Sequence, residues 1–252
     1  MGTEKNKLFG LVGRHISYSF SRSYFAEKFE KLGLVNHEYV NFDIQSIKDL
    51  PAIISERKEN LIGFNVTIPY KGEIISLLDE IDETAKSIDA VNTVLIGNEG
   101  RLKGFNTDIY GFEHSFKPLL KASHKKALIL GTGGASRAIE FVLNKLNIEY
   151  KFVSRNPTSE NQFAYAELSE EIINDYKIVI NCTPLGTHPD TDKCPNIPYH
   201  YLTSDHFLYD LIYNPSETTF LKNGKKVNAT TKNGLAMLEL QAEKAWAIWQ
   251  NR

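Results

Sequence analysis

Short apolar runs alternate along this chain with apolar residues set at helical spacing. The run at 8–13 suits a strand. From 21 to 32, Phe25, Phe29 and Leu32 recur every three or four residues, and Gly33 follows as a C-terminal stop. Residues 38–42 read as a second strand, 47–58 as a second helix entered through Asp49 and Pro51, and 61–68 as a third strand ended by Pro69. An amphipathic helix is expected over 73–81. The apolar runs at 90–96 and 101–105 flank Gly97-Asn98-Glu99-Gly100, which predicts a β-hairpin.

After Thr107 the pattern changes. A polar, basic stretch at 119–124 leads into a short, fully apolar run at 127–130, the signature of a buried central strand in a parallel sheet. A helix over 135–146 and a strand over 150–153 follow, then strands at 178–180 and 207–212 and a weak one at 227–229. The chain closes on a helix over 235–249 with Leu238, Ala242, Ala245 and Trp249 along one face. The alternation predicts an α/β fold with mostly parallel sheets, in two domains that meet near 105–110.

Composition narrows the function classes. With 29 Lys and Arg against 31 Asp and Glu in 252 residues, the formal charge is -2, and no basic block marks a nucleic-acid surface. No run reaches the ~18 apolar residues of a membrane span, and residues 1–7 lack the apolar core of a signal peptide. Cys182 and Cys194 form no CxxC pair and no metal-binding cluster with histidine. A cytoplasmic protein with reduced thiols, no metal, and no nucleic-acid or membrane partner is expected.

The sharpest local signal is Ala127-Leu-Ile-Leu-Gly131-Thr-Gly133-Gly134-Ala135-Ser136. An apolar strand enters a glycine turn and a helix leaves it at once. Glycines there permit the tight turn and the close approach of a pyrophosphate, and the helix N-terminus offers free N–H groups and a positive dipole end. An NAD-binding sequence usually carries Asp or Glu roughly 20 residues beyond such a loop. Here Val153-Ser154-Arg155-Asn156 stands there instead. A guanidinium in that place matches a 2′-phosphate and favours NADP.

Further stretches complete the pattern. They are Gly13-Arg-His-Ile-Ser-Tyr-Ser19-Phe-Ser21, Gly63-Phe-Asn65-Val-Thr67-Ile-Pro69-Tyr-Lys71, Ala90-Val-Asn92-Thr93 and Gly104-Phe-Asn106-Thr107-Asp108. Later come Asn181-Cys-Thr183-Pro184-Leu-Gly186, Asp210-Leu-Ile-Tyr213-Asn-Pro215 and Asn233-Gly234-Leu-Ala-Met237-Leu-Glu-Leu-Gln241. In this order and spacing, from about residue 8 to residue 249, the chain resembles the shikimate dehydrogenase family. The resemblance implies a substrate-binding and catalytic domain made of 1–107 plus 236–252, and a Rossmann-like NADP-binding domain over 108–235.

It also implies reversible reduction of 3-dehydroshikimate by NADPH in aromatic amino-acid biosynthesis. Lys71 and Asp108 match the reacting pair. An ammonium can stabilise a developing alkoxide and protonate it, and a carboxylate can orient the ammonium and bind hydroxyls. Ser19 and Ser21 match the family's carboxylate-binding serines, although Ser21 reads equally as a helix N-cap. Asn65, Thr67, Asn92, Tyr213 and Gln241 match substrate-contacting positions, where Asn and Gln each offer a donor and an acceptor. Gly131, Gly133, Gly134 and Ala135 match the phosphate loop, and Ser154 and Arg155 the 2′-phosphate end. Thr183, Gly234 and Met237 match positions near the nicotinamide, although Thr183-Pro184 reads equally as turn chemistry.

The chain departs from the family pattern at Arg14-His15, Ser17-Tyr18, Phe20 and Arg22, and at Ser154 and Asn156, which replace Asn and Thr. Two alternatives stand beside the main reading: a quinate/shikimate dehydrogenase with looser choice of substrate and cofactor, and a catalytically silent shikimate-binding relative. Monomer and homodimer are both compatible with the sequence.

Overall fold

The computed structural model describes residues 6–17 and 19–251; Tyr18 and most of the polar leader at 1–7 lie outside the described residues. The chain forms two compact units, Met1–Thr107 with Ala242–Arg252, and Asp108–Gln241.

The first unit is built on β1 (Lys7–Gly13), α1 (Phe20–Lys31), β2 (His37–Asp43), α2 (Leu50–Glu56), β3 (Leu61–Val66), β4 (Glu80–Ile81), α3 (Glu83–Ser87), β5 (Thr93–Ile96) and β6 (Leu102–Phe105). Its sheet runs β2-β1-β3-β5-β6-β4. β1 lies parallel to both β2 and β3, whereas β5 is antiparallel to β3 and to β6. All of β3 is buried, as expected of a mostly apolar interior strand, with Asn65 its one polar side chain. The expected hairpin at 97–100 is present, closed by a Gly97 N–H bond to the Arg101 carbonyl of 2.8 Å.

Three local expectations change. The helix at 47–58 starts as a 3-10 turn, Ile47–Asp49, held by a reciprocal Ser46–Asp49 cap, and continues as α2 only to Glu56. The stretch at 73–81 is no single helix. A 3-10 turn ends at Leu77, and Asp79 then exchanges hydrogen bonds with Leu102 through its backbone N–H and its carboxylate, which draws β4 onto the β6 edge. Finally, the N-cap of α1 is Ser19, whose hydroxyl accepts from the Ser21 N–H; Ser21 lies inside the helix.

The second unit contains α4 (Asp108–Phe116), β7 (Lys126–Leu130), α5 (Ser136–Lys145), β8 (Glu149–Ser154), β9 (Gln162–Ala164), α6 (Glu170–Asp175), β10 (Ile178–Asn181), β11 (Phe207–Asp210), α7 (Thr219–Lys226) and β12 (Thr230–Lys232). The sheet is parallel throughout, in the order β12-β11-β10-β7-β8-β9. The run at 127–130 is indeed interior, fully buried between β10 and β8. β9, α6 and α7 carry too few apolar residues to announce themselves. The weak last strand forms at 230–232 rather than 227–229, because residues up to Lys226 are taken by α7, whose N-cap is the Thr218 hydroxyl. Among the described residues, no helix is long and apolar enough to cross a membrane.

The closing helix, α8 (Leu235–Gln250), supplies its last turns to the first unit. There Trp249 packs on Phe9 at 5.1 Å and Phe25 at 5.5 Å between ring centroids, and its indole N–H donates to the Val94 carbonyl at 3.0 Å. Gly63 makes room for it: a Cβ there would stand 2.4 Å from the indole nitrogen.

These contacts generate two stability predictions. Trp249→Ala removes a side chain that is 1% exposed, and denaturant unfolding should show a loss of about 3–5 kcal/mol. Trp249→Phe keeps most of the apolar area and should lose less. In the second unit Asp210 is fully buried, accepting from Asn181 Nδ2 at 3.0 Å, Ile212 N–H at 3.1 Å and the Thr218 hydroxyl at 2.5 Å. Burial outweighs these three donors and pushes its carboxyl up from 3.8 to about 6. An acid raised in the folded state stabilises the fold below its unfolded value, and that contribution disappears as pH rises through the folded value. Wild type should therefore lose about 3 kcal/mol from this group between about pH 4 and pH 6. Asp210→Asn should lack that part of the slope in unfolding midpoints measured across the window.

Candidate functional site

Some of the sequence-predicted residues come together within each unit, and others stand apart. In the first unit, the C-terminal end of β3 and the segment that enters β5 bring Asn65 and Asn92 together, both buried. Asn65 Nδ2 donates to the Asn92 backbone carbonyl at 3.2 Å and to the Thr93 hydroxyl at 3.0 Å. Its Oδ1 accepts from the Tyr39 hydroxyl at 2.9 Å. Asn92 Oδ1 accepts from the Thr107 N–H at 2.7 Å and from the Thr107 and Thr93 hydroxyls at 3.2 and 3.1 Å.

These bonds refine the expectation that each amide offers both a donor and an acceptor. A backbone carbonyl only accepts and a backbone N–H only donates. Asn65 therefore keeps its nitrogen toward Asn92 and its oxygen free for a second donor. Asn92 is held the other way round, with its oxygen consumed by three donors.

Ser19 and Ser21 are joined by the cap at the start of α1, Ser19 half-buried and Ser21 buried. Thr67 follows β3, its N–H bonded to the Val12 carbonyl at 2.9 Å. Lys71 is half-buried, and its position is set by its neighbours on both sides. Tyr70 is fully buried with its hydroxyl on the Ile44 carbonyl at 2.8 Å, and the Lys71 carbonyl accepts from the Val91 N–H at 2.8 Å. Arg14, one of the departures in the first serine motif, lies over the Tyr70 ring at 5.6 Å. The unusual residue thus buttresses the turn that carries Lys71.

In the second unit, Gly131, Gly133, Ser154, Arg155 and Thr183 line one pocket of about 740 Å³. Gly131 has φ +95, a conformation open to glycine and strained for other residues. Its absent side chain also leaves space for Thr183, whose Cγ2 would stand 3.0 Å from a Cβ. A Cβ on Gly133 or Gly134 would meet nothing within 4 Å, so the loop backbone is open to a ligand on that side. Ala135 is the N-cap of α5 and provides no side-chain cap, so the first N–H groups of the helix are not masked by one. Ser136 is buried and bonds back to the Gly133 carbonyl through its N–H at 2.9 Å and its hydroxyl at 2.7 Å. An uncapped helix start, an open glycine backbone and an exposed Arg155 at the β8 end form a donor set that fits a dinucleotide carrying an additional phosphate.

The other predicted residues stand apart from that pocket lining. Asp108 opens α4 and is half-buried. Tyr213 follows β11 and is half-buried. Gln241 is buried on α8 and donates to the Leu238 carbonyl at 3.0 Å. Gly234 has a packing reason of its own, since a Cβ there would stand 2.1 Å from the Leu211 carbonyl oxygen. Met237 is buried on α8 and its backbone abuts Gly111. Thr183 lines the pocket, and its N–H and hydroxyl close a turn on Asn181 Oδ1 at 3.0 and 2.7 Å.

Sequence reading missed Tyr39 and several pocket residues, among them Tyr165, Cys182, Cys194 and Asn196. Both cysteines are free thiols. Burial pushes the Cys182 thiol up, and it pushes the Tyr165 phenol up against the opposing pull of the Arg155 guanidinium. Thr93 and Thr107 were within reach, because each stands inside a quoted motif beside a predicted ligand residue.

Comparison with known proteins places this geometry. Residues 11–94 match the model of the shikimate dehydrogenase substrate binding domain. A shikimate dehydrogenase (NADP(+)) of Methanococcus maripaludis is 41% identical, over 98% of this chain and 93% of the relative. A solved shikimate dehydrogenase in complex with NADP+ is 36% identical, covering 100% of this chain and 93% of that one with a TM-score of 0.83. The Thermus thermophilus shikimate 5-dehydrogenase, solved in complex with NADP(H) and shikimate, is 30% identical over 98% of this chain and 94% of its own, with a TM-score of 0.84. Similarity at this level over nearly the whole length means that the chain belongs to the shikimate dehydrogenase family.

Proposed function

We propose that this protein is an NADP-dependent shikimate dehydrogenase, reversibly reducing 3-dehydroshikimate to shikimate. The observation that carries the reading is the full-length match to relatives of that name at 41% identity. Its support in the structure is the pairing of a polar, amide-lined site in one unit with an open glycine-loop pocket in the other. The reading expects a cytoplasmic enzyme of the aromatic amino-acid pathway, monomer or homodimer, acting on a small molecule.

When bound, the reduced nicotinamide supplies a hydride to the substrate carbonyl carbon. The carbonyl oxygen becomes an alkoxide and takes the proton of the Lys71 ammonium, which is left as a neutral amine. Lys71 thus stabilises charge as it develops and balances it by proton transfer. In the direction of oxidation the neutral amine accepts the hydroxyl proton. Asp108 is the second reacting group, a carboxylate that accepts a hydrogen bond from a substrate hydroxyl. Ser19 and Ser21 hold the substrate carboxylate, and Asn65, Thr67, Asn92, Tyr213 and Gln241 contact the carboxylate or ring hydroxyls. The N–H groups around Gly131, Gly133, Gly134 and Ala135 hold the pyrophosphate. Ser154 and Arg155 hold the 2′-phosphate, and Thr183, Gly234 and Met237 form the nicotinamide side.

The test is absorbance of the reduced nicotinamide with shikimate or quinate and NADP or NAD, in all four pairings. Rapid reduction of NADP with shikimate alone is the expected outcome; comparable rates with quinate or NAD would replace it by the broader dehydrogenase, and silence in all four by a binding protein. Lys71→Ala should lower kcat by about 10²–10⁴-fold, and near-normal turnover in the folded variant would remove Lys71 from the reaction. Arg155→Ala should raise KM for NADP by about 10–100-fold, the worth of a hydrogen-bonded charge, with little change for NAD. An equal effect on both cofactors would end the 2′-phosphate role.

A further inference from the structure

Beneath the two amides lies a residue that the proposed chemistry does not use. Tyr39 sits in β2, 5% exposed, with its ring stacked on Phe25 at 4.6 Å and 12° and tilted against Trp249 at 6.4 Å. The aromatic packing leaves the phenol one direction. Its hydroxyl donates to Asn65 Oδ1 at 2.9 Å. One buried hydroxyl therefore reaches a residue of the amide pair.

The proton order continues through the amides without a choice. Asn65 Nδ2 must face the Asn92 carbonyl, since the reverse orientation would set two acceptors 3.2 Å apart. Asn65 Oδ1 then faces Tyr39, with one lone pair left. Asn92 Oδ1 must face the Thr107 N–H, which leaves the Asn92 amide nitrogen to point elsewhere as a donor. Burial raises the Tyr39 phenol far above its ordinary range, so it stays protonated and remains a donor wherever the protein is folded.

We infer that Tyr39 is a positioning residue for the substrate. It fixes the Asn65 amide from below, so that Asn65 presents only an acceptor to a ligand hydroxyl while Asn92 presents only a donor. The site then has a built-in polarity. A ligand hydroxyl on Asn65 must donate, a ligand oxygen on Asn92 must accept, and a ligand with the reverse pattern is rejected. This rests on the assignment of Asn65 and Asn92 to shikimate under the proposed function.

The test is Tyr39→Phe, which keeps the ring and removes only the hydroxyl, assayed with shikimate and NADP after wild type has been shown to turn them over. The expected result is a KM for shikimate raised about tenfold, the worth of one hydrogen bond, with KM for NADP unchanged. A merely structural role would shift the unfolding midpoint and leave the two KM values in their wild-type ratio. In an Asn65→Ala background the same substitution should raise KM by distinctly less, because its principal target is gone. Thr93→Val, which removes the acceptor on the other side of the Asn65 amide, should reproduce the shikimate-specific rise and serves if Tyr39→Phe folds poorly. An unchanged shikimate KM in both variants, or full additivity of Tyr39→Phe with Asn65→Ala, overturns the inference. Wild type inert toward shikimate but active on another hydroxy acid overturns the substrate assignment instead, and Tyr39→Phe then fails if the KM for that acid is unmoved.

Discussion

The polar interior of the first unit hangs on one oxygen, Oδ1 of Asn92. Three donors reach it, one backbone N–H and two hydroxyls, from the start of β5 and from the segment after β6. A buried carbonyl oxygen without partners would cost about 1 kcal/mol or more, and each donor would suffer a similar penalty if it left. The oxygen thus ties together two segments that enter and leave the β5–β6 hairpin. Thr107, the last residue before α4, is placed by this tie rather than by apolar packing. Lys71 belongs to the same framework, since its carbonyl bonds to Val91, one residue before Asn92. Polar bonds of fixed direction locate Lys71, while the apolar core beneath supplies the rigidity.

The second unit solves its problem by the opposite means. Its sheet is parallel and the apolar runs at 127–130 and 178–180 in its centre are fully buried, so the register of β7 against β10 is set by packing. All the polar chemistry is displaced to the ends of the strands, where Gly131, Ser154 and Thr183 terminate or follow β7, β8 and β10. Strand ends are where backbone groups lose their sheet partners and become available to a ligand. Asp210, at the end of β11, is the exception that closes inward; its oxygens accept from Asn181, Ile212 and Thr218 and so brace the neighbouring loops.

Much of this was legible in the chain. The interior strands of the second sheet, the hairpin at 97–100 and the glycine turn all follow from local pattern, because each is decided by its own residues. β4, β9 and α6 were not legible, since short edge elements take their form from a neighbour: β4 exists because Asp79 and Leu102 meet. Among the site residues, the motifs marked Asn65 and Asn92 but not the sense in which each amide is turned. That sense depends on backbone groups at positions 92 and 107, brought close only by the sheet. Tyr39 gave no signal at all, as one aromatic in a strand that alternates inward and outward resembles any other.

The first unit is discontinuous, and its last contribution, Trp249, comes from the other end of the chain. This fixes an order of events at the ribosome. Residues up to 107 emerge first, with Phe9, Phe25 and the space above Gly63 still uncovered, and the whole second unit is synthesised before the tryptophan that fills that space. The second unit, encoded as a continuous stretch, can complete its sheet beforehand. The first unit is therefore started before the second and completed after it, and until Trp249 arrives Phe9 and Phe25 lack the ring that covers them.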